Sequence, residues 1–277
     1  MKTFHLITVV LNRGTGLMRH CLAVAAMTCM PFVAAAQALH PWQSPQSHRQ
    51  AEAYFTNLKD NDSVVTPFVV KFGLSEGWGI APIASPVTGK GGHHHLLINR
   101  DLPLDFKVPL PFNEQYIHFG KGQMEHSLNL APGSYTLRLL LADQKHLPHF
   151  VYSKPMRITV TKQTNSAVVS PATPSVDLLN LLENAELKPP FKLQFHTSNL
   201  QVANKTQKLK DTGFFRLILD PKSGGETVSI DFVRGQTEVW LKPPAGVYTA
   251  QLMLIDNLDD KTTLAASSKK SFRVLSQ

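Results

Sequence analysis

Imidazole binds first-row transition metals and exchanges protons near neutral pH, and this sequence concentrates it. In GGHHHLLINRD, Gly91 to Asp101, three histidines in a row (His93, His94 and His95) stand at the entry to a strand-like run. Side chains alternate along a strand, so His93 and His95 share one face, roughly 7 Å apart at the backbone. Two imidazoles at that spacing can close onto one ion, while His94 points the other way. His118, His126, His146 and His149 follow further along the chain. Both cysteines, Cys21 and Cys29, precede residue 38. A mature chain cut after Ala38 therefore has no disulfide framework and no thiolate metal site.

An internal repeat shows which elements must position these residues. AYFTNLKDNDSVVTPFVVKF, from Ala53, matches VDLLNLLENAELKPPFKLQF, from Val176, at an offset of 123. IHFGKGQMEHSLNLAPGSYTLRLLLAD, from Ile117, matches IDFVRGQTEVWLKPPAGVYTAQLMLID, from Ile230, at an offset of 113. Each copy consists of short runs with period-two apolar alternation, such as YTLRLLL from Tyr135 to Leu141, separated by turn residues. The pattern predicts an all-β protein of two tandem immunoglobulin-like β-sandwich domains. The expected organisation is a signal peptide over 1–38, a flexible segment over 39–50, a histidine-rich sandwich over 51–162, a linker over 163–174 and a histidine-poor sandwich over 175–277.

The second copy acts as a control for the first. Gly122, Gln123, Glu125, Gly133 and Asp143 recur as Gly235, Gln236, Glu238, Gly246 and Asp256 and are read as serving the fold. The histidines do not recur. His93, His94 and His95 stand opposite Phe214, Phe215 and Arg216, and His118, His126, His146 and His149 stand opposite Asp231, Val239, Asp259 and Thr262. Arg216 should avoid the core, which turns Phe215 inward and by transfer turns His93 and His95 outward and His94 inward. The same rule turns His118 outward and His126 inward and leaves His146 and His149 in a loop at one end. The candidate metal ligands are His93, His95, His118, His146 and His149; His94, His126, Glu125 and Asp143 are candidates for lining the site. No catalytic residue is assigned.

The blocks GHHHLLIN, YIHFGKGQMEHSLNL and LLLADQKHLPH resemble the signature of the domain of unknown function 4399 family of exported bacterial proteins, approximately GHHHLLID, HIHFGKGQTE and LLLGDxxHxPH. The resemblance covers copy one from about Ala53 to Val160. It marks His93, His94, His95, His118, Gly120, Gly122, Gln123, Glu125, Asp143, His146 and His149, with Asn99 where the family has Asp, Met124 where it has Thr, and His126 extra. Copy two is similar to a divergent member that has lost the histidines. What the resemblance implies is an exported β-domain without a settled activity.

The N-terminal segment reads as a secretory signal, with Arg19 and His20 ahead of the apolar run CLAVAAMTCMPFVAAA and a small-residue cleavage pattern ending at Ala38. Translation from either Met1 or Met18 fits that shape. The run is too short and alanine-rich for a stable membrane span, so a periplasmic or secreted protein is expected. The chain has 28 Lys+Arg against 20 Asp+Glu; Lys2, Arg13 and Arg19 leave with the signal and no acid does, so +8 falls to +5. The basic residues are scattered without interleaved aromatics, which argues against a nucleic-acid partner.

Three functional readings follow. The first is a transition-metal site, copper or zinc, that would release its ion below about pH 6 as imidazoles protonate. The alternative is a polar histidine network in a structural or binding module, with a cell-envelope protein as partner. A metal-dependent hydrolase, or an acid/base pair of His118 with Glu125 or Asp143, stands third.

Overall fold

The computed structural model describes residues 39–46, 50–75, 77–84, 86–87, 89–103, 105–165 and 173–276; the expected signal peptide and most of the expected linker lie outside them. The alternating runs form strands. Copy one contains β1 (Ala53–Phe55), β2 (Asp62–Thr66), β3 (Phe68–Leu74), β4 (Gly79–Ile80), β5 (Gly91–Ile98), β6 (Tyr116–His118), β7 (Glu125–Leu128), β8 (Gly133–Ala142), β9 (Pro148–Tyr152) and β10 (Met156–Gln163). Copy two repeats them as β11 (Ser175–Leu178), β12 (Ala185–Leu187), β13 (Phe191–Ser198), β14 (Gln201–Val202), β15 (Thr212–Pro221), β16 (Val228–Phe232), β17 (Glu238–Leu241), β18 (Gly246–Asp256), β19 (Thr263–Ala266) and β20 (Lys270–Val274).

In each copy a three-stranded sheet, β1-β3-β7 or β11-β13-β17, accompanies a seven-stranded one built on β2-β10-β8-β5-β4 or β12-β20-β18-β15-β14. The fold is all-β, two immunoglobulin-like sandwiches, with inward aliphatic and aromatic side chains such as Phe72, Leu96 and Leu139, or Phe195, Leu217 and Leu252, fully buried. Shared residues explain the shared shape. Tyr135 and Tyr248 donate from their hydroxyls to the carbonyls of Ala131 and Pro244, each at 2.9 Å, the hydroxyl-to-upstream-backbone closure typical of such sandwiches. Asn61 and Asn184 adopt φ of 70° and 58°, the left-handed turn conformation that asparagine tolerates. No helix among the described residues is long and apolar enough to cross a membrane.

The two copies pack together through equivalent residues. The Val202 amide donates to the Gly122 carbonyl at 2.9 Å, and the Ile80 amide donates to the Gly235 carbonyl at 2.8 Å. A Cβ on Gly122 would fall 2.0 Å from the Val202 carbonyl oxygen and one on Gly235 would fall 2.2 Å from that of Ile80, so this approach requires glycine on both sides. The segment expected to be flexible holds the second copy. The Ser44 amide donates to the Trp240 carbonyl and the Lys242 amide to the Trp42 carbonyl, while the Trp42 ring meets Tyr248 edge-on at 5.7 Å. An indole and two backbone hydrogen bonds are reason enough for order there.

Candidate metal centre

Strand β5 is buried on both faces. Its inner face places His94 beside Phe72, at 5.6 Å between ring centres. Its outer face carries His93, His95 and Leu97. Outward on the sheet is not outward to solvent, because His93 and His95 are both 0 % exposed. The cover is the connection between β5 and β6. Asn99 to Ile117 corresponds to Asp220 to Ile230 in copy two, so this connection is eight residues longer in the histidine-bearing copy. Its Leu102, Phe106 and Leu110 pack on Leu97, Leu140, Ala142, Tyr116 and Tyr152 as a second small apolar core. The Leu110 amide donates to the His146 carbonyl at 2.9 Å, which ties the cover to the histidine loop.

Four histidines converge under this cover. β5 and β6 pair with His95 opposite His118, and the turn after β8 brings in His146. The four rings lie 4.6 to 5.8 Å apart, centre to centre. One nitrogen from each of His93, His95, His118 and His146 falls within 4.8 Å of the others. The Nε2 atoms of His93 and His95 are 3.0 Å apart. Nδ1 of His93 and of His95 and Nε2 of His118 and of His146 are buried without a hydrogen-bond partner among the described residues. Phe112 closes the outer side, its ring 4.6 Å from His146 and 5.1 Å from His118. Four neutral donors at this spacing could hold a transition-metal ion, since bonds of about 2.0–2.1 Å to nitrogen place tetrahedral donors about 3.3 Å apart.

The surroundings of His93, His95 and His118 favour the neutral ring. Burial, reinforced by neighbouring imidazoles, pushes His93 down to about 2 and His95 to about 3. Burial and then His146 also lower His118. Neutral imidazole is the form that ligates a metal, so the folded cluster needs little deprotonation before it can do so.

Two neighbours set the position of these rings. His146 adopts φ of 63°, unusual for a side chain with a Cβ. Asp143 holds that turn, its Oδ1 accepting the Lys145 amide at 2.8 Å and the Leu147 amide at 2.9 Å. A Cβ on Gly120 would lie 2.3 Å from His118 Cε1 and 2.5 Å from Nε2. Copy two, with Asp231 where His118 stands, has Val233 at the position of Gly120. Gly120→Ala is expected to push the His118 ring aside while leaving the fold intact, weakening metal binding roughly 10–100-fold, a loss typical of disturbed ligand support. Metal titration beside circular dichroism checks this, and unchanged affinity would show that His118 is not held by this contact.

The remaining candidates lie elsewhere. His149 sits on β9 with its ring 4.8 Å from Trp78, outside the four-histidine group, because the strand resumes at Pro148 and carries it away from His146. His126 is half-buried against Phe119 at 5.3 Å. Glu125 reaches across to copy two, where its Oε2 lies 3.0 Å from His196 Nε2 and accepts the Ser198 hydroxyl at 2.8 Å. Burial would raise the Glu125 carboxyl, yet the hydrogen bonds from His196 and Ser198 outweigh it and lower it, while burial also lowers His196. A carboxylate held by a neutral imidazole and a hydroxyl at a domain interface is a structural contact, and Asp143 is used by its turn. The expected acid/base pairing of either with His118 therefore has no geometric support. His196 escaped notice in the sequence because its partner comes from the other copy.

The same face of copy two is closed differently. Arg216 and Asp231 occupy the paired positions of His95 and His118 and form a two-pronged ion pair at 2.6 and 2.8 Å. Phe214, opposite His93, is fully buried beneath Lys205 Nζ, 4.9 Å from its ring centre.

Comparison with known proteins adds a family and a loose architectural likeness. The family model described as Domain of unknown function (DUF4399) matches residues 70–161 and 193–274. No curated protein sequence matches the chain. Among solved structures, the fibronectin(III)-like modules of Clostridium thermocellum CbhA share 11% identity over 80% of this chain and 92% of theirs, with a TM-score of 0.25. The chicken CNTN1 FN1-FN3 domains share 8% over 77% and 64%, with a TM-score of 0.23. A two-domain fibronectin type-III segment of chicken tenascin shares 12% over 79% and 95%, with a TM-score of 0.18.

Proposed function

The chain belongs to the DUF4399 family, whose domain it carries twice, and on that premise we propose that it is an exported protein whose first sandwich holds one transition-metal ion, copper or zinc, in its four-histidine cluster. The observation that carries this reading is the convergence of His93, His95, His118 and His146, with four of their ring nitrogens buried and unpartnered among the described residues. Buried polar atoms in native proteins nearly always find a partner, and a metal ion supplies one to several of these rings at once. Copy two supports the reading by contrast: the same face is closed there by an ion pair that needs no ligand. Handling or storage of the ion fits a covered cluster of four protein donors better than hydrolysis, which requires an open coordination position. Export rests on the signal-like N-terminus.

Metal analysis by mass spectrometry of untagged mature protein, beside a His93→Ala/His95→Ala variant, tests the proposal. The expected result is close to one metal ion per chain in the parent and none in the variant. Absence of metal from the parent after incubation with copper or zinc and dialysis would leave the histidines as a structural network.

A further inference from the structure

The cluster also constrains the charge of its ion. All four donors are imidazoles, which ligate without bringing a negative charge, and among the described residues the group that could hold a metal contains no carboxylate. The nearest acid in sequence, Asp143, has Oδ1 engaged by two amides of the turn, and Glu125 faces the other copy. Metal-bound histidines usually pass their second N–H to a carboxylate or carbonyl, which spreads the charge of the ion. Among the described residues neither ring nitrogen of His93 or of His95 meets a carboxylate or carbonyl: each Nδ1 is without a hydrogen-bond partner, and the two Nε2 atoms face each other at 3.0 Å. His93 and His95 are fully buried, while His118 and His146 are half-buried beneath the Phe112 ring, itself exposed on its outer side.

The cost of placing an ion in such a low-dielectric setting grows with the square of its charge, so a dication costs about four times as much as a monocation. Copy two shows how this face of the fold otherwise treats positive charge: the Arg216 guanidinium comes with Asp231 beside it. Among the described residues, the four-histidine group of copy one includes no such anion. Resting on the metal-binding reading above, we propose that the site selects a monovalent d10 ion, Cu(I), with Ag(I) as its chemical surrogate, over Zn(II) and Cu(II). Imidazole suits copper and zinc alike, so the proposed discrimination comes from charge rather than donor type.

The test uses the full mature protein under anaerobic conditions, titrated separately with Cu(I) presented by a chromophoric chelator, with Ag(I), with Zn(II) and, in air, with Cu(II). The expected result is one Cu(I) or Ag(I) per chain, with the divalent ions bound on the order of 100-fold more weakly. Phe112→Asp, which places a carboxylate at the mouth of the cluster, is expected to raise Zn(II) affinity relative to Cu(I) about tenfold. Divalent ions bound as tightly as Cu(I), or no change in preference with Phe112→Asp, would overturn the selectivity while leaving a metal site in place. Failure of all four ions to bind would overturn the metal-binding reading itself.

Discussion

In metal-free protein, acid is expected to destabilise the fold progressively below about pH 6.5, and His94→Phe is expected to remove the part of that loss that falls between about pH 6.5 and about pH 4. His94 is fully buried in the sandwich with neither ring nitrogen hydrogen-bonded among the described residues, and burial pushes it down to about 4 from the ordinary 6.5. Its folded value lies below its unfolded one, so the unfolded chain takes up the proton first as pH falls. The contribution is intact above pH 6.5 and lost as pH approaches the folded value, on the order of 3 kcal/mol for this residue. Phenylalanine has a precedent at this position. Phe215 stands there in copy two, 5.4 Å from Phe195, as His94 stands 5.6 Å from Phe72. Urea unfolding of both proteins at pH 7.5 and 4.5 checks the expectation; equal pH dependence would show that His94 does not drive acid sensitivity.

The same sign revises the expectation that metal leaves below about pH 6. His93 and His95 sit at about 2 and 3 in the folded state, with burial as the first cause. Protons therefore compete poorly for these two ligands while the fold holds. Release of the ion should follow acid unfolding instead, with metal loss and loss of tertiary signal falling together in one titration.

Much of this site was legible in the sequence because the chain contains its own comparison. Opposing His93 to His95 with Phe214 to Arg216 separates the two strand faces correctly, and the same alignment brings His118 and His146 into the candidate set. Three features stayed hidden for physical reasons. Period-two alternation gives the face of a sheet but not what covers it, so the insertion that buries His93 and His95 had to be seen in three dimensions. Strand β9 begins inside HLPH, at Pro148, and carries His149 to Trp78, a boundary that propensity does not resolve within a residue or two. The contacts of Glu125, Gly122 and Trp42 with copy two arise from domain packing, which leaves no periodic trace in either partner. Shared residues did serve structure: Gly122 takes the positive φ of its turn, its amide donating back to Phe119, and also meets Val202 of copy two, while Glu125 serves the interface between the copies.

His95→Arg alone is expected to destabilise the protein by roughly 3–5 kcal/mol, and adding His118→Asp is expected to recover most of that loss. The basis is the register: His95 faces His118 on β5 and β6 as Arg216 faces Asp231 on β15 and β16. A lone guanidinium at the fully buried position 95 has no counter-charge in the cluster, whereas a carboxylate at position 118 can accept it through two parallel hydrogen bonds, as it does in copy two. A double-mutant cycle by urea unfolding measures the coupling, and additivity of the two changes would show that the two copies do not share this local geometry. The pair should also abolish metal binding, because two of the four donors are gone. A stable but metal-free double variant would separate what the cluster does for the ion from what this face needs in order to fold: the scaffold requires its outer face to be closed, and histidine is required only when the closure is made by a metal.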